Sequence, residues 1–339
     1  MKKQLEIVQL LRALGCVMIA LYHLPSGYFL KPDQSGFVLA VFFTISGFFL
    51  IEGISKTTKN YFRKKIIRIV PLYWLLTLII FFAEMIKPGL VSDNAVTLEM
   101  FVKSMFFIPY YSSQNNIFPV LSVGWTLIIE FFVYIVYYLC FFVSKKLFSN
   151  NKRYEMISVL LYGIIMLCGA ILKNVLEIHN PFMEVWGSKY QWSFIMGMII
   201  HFLSSEGRRA QKAQHNSILI SYGCVAGLLF VFILYSYFVS YISVFVAGIV
   251  VCVCLCMFNE IRVPKLFVLL GNVSFSFYLV HKFVIGVVLK LMPYIKLSGI
   301  VAELMAGCLV VIVSFGVSYV LYILIEKKFS SFLLTKLCK

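Results

Sequence analysis

The sequence predicts an all-α fold: a polytopic membrane bundle of about ten transmembrane helices with both termini cytoplasmic. Three observations carry that prediction. Of 339 residues, 61% are hydrophobic and only 13% charged, with a mean hydropathy of +0.94, well outside the composition of a soluble domain. The apolar residues fall in runs near the ~20 residues a helix needs to cross hydrocarbon. The basic residues behind the net charge of +16 collect on alternate connections. That pattern reflects topology and argues against a nucleic-acid partner.

Polar breaks divide the chain into spans near 8–28, 37–53, 69–86, 122–144, 156–173, 191–205, 217–237, 238–258, 267–289 and 299–325. They form a single integral membrane domain over 1–339, with no room for a separate soluble domain. The first run holds an Arg and a His and lacks a small-residue cleavage site, so it is expected to stay as a helix. With the N-terminus cytoplasmic, 21 Lys and Arg face the cytoplasm and seven face outward, while Arg12 and Lys282 fall inside spans. The ratio follows the positive-inside rule. Eight of nine cysteines lie in apolar runs, where Cys acts as a small hydrophobe, so no disulfide is expected. Cys252, Cys254 and Cys256 alternate in direction on a helix, and the five His are scattered, so no metal set is expected. The outer segment 87–121 is the one long connection, and its MFVKSMFFIPYY portion suits a short interfacial helix.

Arg12 and His23 are costly residues for a membrane span. Eleven positions correspond to about 16 Å of rise and to within about 20° of one helix face, so both belong to one stripe. Such residues face water, a partner or the bundle interior. Each taken alone also suits a structural role: snorkelling for Arg12, a helix–helix hydrogen bond for His23. Glu130, in SVGWTLIIEFFVY, is expected at a depth comparable to His23 and suits proton exchange with it. In LGNVSFSFYLVHKF, Ser274, Tyr278 and His281 recur at helical spacing with Asn272 a turn earlier, a second polar stripe that is equally able simply to pack helices. The loop NYFRKKIIRIVPLYW sets Arg63, Lys64, Lys65 and Arg68 at the cytoplasmic face, either as topogenic charge or as a grip for donor phosphates.

Taken together, these segments resemble the acyltransferase-3 family of integral membrane acyltransferases, which acylate sugars and other envelope molecules. The similarity rests on LLRALGCVMIALYH, VFFTISGFFLI, the pair RKKIIRIVPLYW and GWTLIIEFFVY, and LGNVSFSFYLVHKF, in the family's order along nearly the whole chain. The resemblance implies His23 as catalytic residue, Arg12 as its associated cation, Glu130 as the intramembrane acid, and Lys65 and Arg68 as the paired basic motif, flanked by Arg63 and Lys64. Trp125, Asn272, Ser274, Tyr278 and His281 are the expected substrate-side residues. Three departures stand out: Lys65 replaces a usual Arg, Gln9 occupies a position that is often acidic, and IEKKF lacks the family's closing proline.

The expected activity is O-acyl transfer, foremost O-acetyl, from cytosolic acetyl-CoA or another acyl-CoA to a sugar hydroxyl. The acceptor is a surface polysaccharide or its lipid-linked precursor, as for short family members acting on exopolysaccharide or O-antigen. No cofactor is permanently bound in this scheme, and the setting it implies is the bacterial inner membrane. A transporter of a polysaccharide, solute or protons is the competing class.

Overall fold

The computed structural model describes residues 2–25, 32–57, 60–89, 96–112, 115–148, 154–210, 242–257, 262–295 and 299–337. Among them regular structure is helical throughout: α1 (Lys2–Tyr22), α2 (Pro32–Thr57), α3 (Tyr61–Ile86), α4 (Leu98–Met105), α5 (Trp125–Leu147), α6 (Tyr154–Asn174), α7 (Pro181–Trp186), α8 (Tyr190–Ala210), α9 (Ile242–Met257), α10 (Lys265–Asn272), α11 (Ser274–Leu291), α12 (Gly299–Leu321), a π segment (Tyr322–Phe329) and α13 (Ser330–Leu337). Six stretches are long and apolar enough to cross a membrane: Gly36–Lys56, Tyr61–Ile86, Ser122–Leu147, Tyr154–Asn174, Ser274–Ile295 and Gly299–Leu337. The expected span 217–237 lies outside the described residues, as do residues 238–241 of the next one.

α6 shows what solvent these helices require. Met156, Leu160, Ile164, Leu167 and Ile171 recur at helical spacing and are all exposed, while Ser158, Val159, Tyr162 and Met166 are buried. The apolar stripe faces outward and the hydroxyls face inward, the reverse of an amphipathic helix in water. Hydrocarbon stabilises that arrangement where water does not, and the buried Tyr137 and Ser158 hydroxyls bond each other at 3.0 Å, as suits polar groups in a membrane.

Several expected boundaries shift, each for a local reason. α1 stops at Tyr22, not near 28; the Leu24 amide tightens onto the Leu21 carbonyl, and Pro25 follows with no N–H to continue the helix. α3 begins at Tyr61, not 69, because Tyr61 is itself buried and anchors the first turn. Arg63, Lys64, Lys65 and Arg68 therefore stand on a helix and not on a loop. The span 267–289 is two helices: Val273 takes φ −87 and ψ 2, a bridge-region conformation that ends α10 and begins α11. Asn272 thus closes α10 and does not share the α11 stripe.

The chain packs as two compact units, residues 1–49 with 196–322 and residues 50–195 with 323–339. In the first, α1, α11 and α12 enclose a core of Cys16, Ala20, Leu24, Phe277, Val284, Ile285, Val288, Ala306 and Val310. α10 lies against α1 so closely that a Cβ on Gly271 would sit 2.2 Å from the Gln9 carbonyl oxygen. Gly197 of α8 makes a similar approach to α2, where a Cβ would fall 2.0 Å from the Thr44 carbonyl oxygen. Close backbone contact through glycine is the usual means of helix association where lipid supplies no hydrophobic drive.

In the second unit, the outer segment is pinned by Ser104. Its carbonyl accepts from the Tyr73 hydroxyl at 3.1 Å, and its Oγ bonds the Tyr110 hydroxyl at 3.0 Å and accepts from the Val120 amide at 2.9 Å. The expected short helix is α4, capped by the Thr97 hydroxyl, which accepts from the Met100 amide. Burial raises the Tyr110 phenol above its ordinary pKa, against a smaller lowering by its Ser104 bond.

Candidate active site

In the first unit the imidazole of His23 lies beside that of His281, with ring centroids 5.1 Å apart and planes at 39°. Two elements create the pair. His23 is the residue after α1, yet its amide still donates to the Ile19 carbonyl at 3.2 Å, so it keeps the helical register that relates it to Arg12. His281 sits mid-way along α11, completely buried. The two helices are held together by the shared core and by a bond from the Cys16 thiol to the Ser274 carbonyl at 3.3 Å.

The hydrogen bonds of His281 define its tautomer. Nδ1 is 2.6 Å from the Tyr278 carbonyl oxygen; a carbonyl only accepts, so Nδ1 carries the N–H. Nε2 of the neutral ring is then a lone-pair acceptor, and it is buried without a hydrogen-bond partner among the described residues. Aromatic neighbours frame the pair, Tyr22 against His23 at 5.1 Å and Tyr278 against His281 at 5.7 Å. Lys282 follows His281 on α11 and is exposed. Arg12 shares the α1 stripe but is about 16 Å along the helix from His23, one turn before Cys16. Ser274 is buried at the start of α11, its Oγ without a hydrogen-bond partner among the described residues. Asn272 is half-buried on α10.

The second unit holds the other expected residues. The basic segment divides by exposure: Arg63, Lys64 and Arg68 are exposed, whereas Lys65 is half-buried. Arg63 donates to the Leu337 carbonyl of α13 at 3.3 Å, and the Ser330 hydroxyl lies 3.0 Å from the Ile67 carbonyl, so the C-terminal helix lies along the basic turn of α3. Lys65 turns to α5, donating from Nζ to the Tyr134 hydroxyl at 2.8 Å. That hydroxyl in turn donates to Oε1 of Glu130. Trp125, at the first turn of α5, packs its ring 5.6 Å from that of Tyr190.

Two features escaped sequence reasoning. His281 stood on a separate stripe from His23, and only the packing of α1 on α11 brings the imidazoles together. Tyr134 gave one local signal, its position four residues after Glu130, where helical side chains meet; its contact with Lys65 had none.

An inward polar network, an outward apolar stripe on α6 and an imidazole pair in which His281 is fully buried and His23 half-buried define a multi-pass membrane protein with titratable groups in its interior. The chain belongs to the acyltransferase family whose "Acyltransferase domain" matches residues 5–323. It is 30% identical over 257 residues to the "Exopolysaccharide production protein ExoZ" of Rhizobium meliloti (strain 1021), covering 74% of this chain and 76% of that protein. No solved structure matches it.

Proposed function

We propose that this protein moves an acyl group, foremost acetyl, from cytosolic acyl-CoA to a sugar hydroxyl of a surface polysaccharide or its lipid-linked precursor, in the bacterial inner membrane. The observation that carries the reading is the His23–His281 pair: two imidazoles in contact inside a membrane protein of an acyltransferase family. The relative's printed name supports a polysaccharide acceptor.

In this reading His23 removes the acceptor hydroxyl proton as general base. The sugar oxygen attacks the thioester carbonyl carbon, and collapse of the tetrahedral adduct forms the ester C–O bond and breaks C–S. The proton held by the imidazole passes to the leaving CoA sulfur, so the enzyme returns to its starting state. His281, with Nδ1 fixed on the Tyr278 carbonyl, orients His23 and accepts a hydrogen bond or proton at Nε2. Tyr278 and Ser274, on the same helix, serve the acceptor side with Asn272, and Trp125 offers a flat ring against a sugar. Arg63, Lys64 and Arg68 supply cationic ligands for donor phosphates. Arg12 stands nearer the start of α1 as an anchor for the donor. Glu130 serves as the intramembrane acid.

The decisive experiment is mass spectrometry of surface polysaccharide from cells expressing wild type, His23→Ala or Arg68→Ala at matched membrane levels. The expected result is an added acyl mass in wild type that His23→Ala lacks and that Arg68→Ala carries at a reduced level. Unchanged acylation in His23→Ala removes the catalytic assignment, and flux of a solute without acyl-CoA would establish transport instead. A labelled acyl group trapped on His23 would replace the general-base role with a nucleophilic one.

A further inference from the structure

The basic segment of α3 contains one residue that behaves unlike its neighbours. Arg63, Lys64 and Arg68 are exposed, and Lys65 is drawn inward. Its ammonium donates to the Tyr134 hydroxyl at 2.8 Å and lies 4.4 Å from the centroid of the same ring. It is also 5.8 Å from the ring centroid of Tyr61. Tyr134 is wholly buried, and its single proton goes to Glu130. Tyr61, itself buried, meets Tyr134 edge-on at 6.1 Å and fixes that ring from the side. The result is a cation, a phenol and a carboxylate in series across α3 and α5.

An ammonium and a carboxylate, each half-buried and joined through one wholly buried hydroxyl, stabilise each other. We infer that Tyr134 is a positioning residue: it holds Lys65 against Glu130 as that carboxylate's charge partner, so that Lys65 is not a fourth phosphate ligand beside Arg63, Lys64 and Arg68. The inference rests on the acyl-CoA reading only in assigning phosphates to those three cations. Lys65 and Arg68, three residues apart and read from sequence as one motif, thereby acquire different tasks. A Lys suits the inward position, since a single compact donor meets a single phenolic oxygen and needs no planar fork.

The test is a double-mutant cycle of Tyr134→Phe and Lys65→Met, with Arg68→Ala alongside, in membranes carrying matched amounts of full-length protein, read as the acetyl-CoA dependence of polysaccharide acylation. Phe keeps the ring, its packing and its cation–π face, so it removes only the hydroxyl. Tyr134→Phe should lower the maximal rate about tenfold, the loss expected when a charge-assisted bond is removed. The half-saturating acetyl-CoA concentration should stay within about twofold of wild type for Tyr134→Phe and Lys65→Met and rise for Arg68→Ala. In the Lys65→Met background, Tyr134→Phe should add no further loss. Additive losses, or a rise in half-saturation for Lys65→Met matching that of Arg68→Ala, would overturn the inference. If wild type acylates nothing from acetyl-CoA, the donor reading fails by itself. The cycle is then read from thermal unfolding of the four purified proteins, where non-additive midpoints sustain the link and additive ones defeat it.

Discussion

At the scale of single residues, the pair of histidines makes the sharpest prediction. If His23 and His281 act as one unit, each alanine variant should lower acyl transfer by about 10²–10⁴-fold, the span expected for losing a general base. The double variant should then be no slower than the worse single one. Mass spectrometric quantitation of acylated polysaccharide against membrane protein level measures this, and multiplying losses would separate the two roles. His281→Asn offers a finer contrast. Its amide can still donate toward the Tyr278 carbonyl that accepts from Nδ1 in the native protein, but it has no basic lone pair comparable to Nε2. Activity retained in that variant would mean that orientation alone is required of position 281.

At the scale of elements, two glycine contacts set how helices meet. Gly271 lets α10 touch the backbone of α1 at Gln9, and Gly197 lets α8 touch the backbone of α2 at Thr44. Backbone atoms cannot swing aside as a side chain can. Gly271→Ala and Gly197→Ala are therefore each expected to destabilise the protein by about 1–3 kcal/mol, the cost of overpacking a close interface, seen as a lower thermal midpoint in detergent. Gly163→Ala on α6 is the control, since a Cβ there meets nothing within 4 Å, and its midpoint should hold or rise. The Gly271 contact also carries Gln9, one turn before Arg12, so its loss should reduce acyl transfer as well as stability.

At the scale of the whole molecule, the charge asymmetry predicts sidedness. With 21 basic residues assigned inside and seven outside, a reporter fused after Lys339 should be active in the cytoplasm and inactive beyond the membrane. Reporters inserted at Ser92 should give the opposite pattern. A C-terminal reporter active only outside, with the Ser92 reporter also outside, would mean that the number of crossings is odd. The exposed apolar stripe of α6 belongs to the same scale: Ile164→Lys, in mid-helix and exposed, should cut membrane insertion, because a lone ammonium facing hydrocarbon has no partner.

The helical class, the membrane setting and much of the element order were legible in the chain because hydrophobic run length and the side of the basic residues are local properties, read without knowing any fold. The residues of the candidate site were legible for the same reason, since a charged or titratable side chain in an apolar run is conspicuous wherever it sits. Helix ends were less so: a buried Tyr61 extends α3 through the basic segment, and a single bridge-region residue, Val273, divides one expected span in two. Which of the conspicuous residues meet was settled by tertiary structure alone. Positions 23 and 281 lie 258 residues apart, as do Cys16 and Ser274 beside them, and Lys65 meets Tyr134 across 69 positions. A periodic sequence specifies which face of its own helix a side chain occupies; the rotation and depth at which that face meets another helix depend on packing at distant glycines and core residues, which no local pattern encodes.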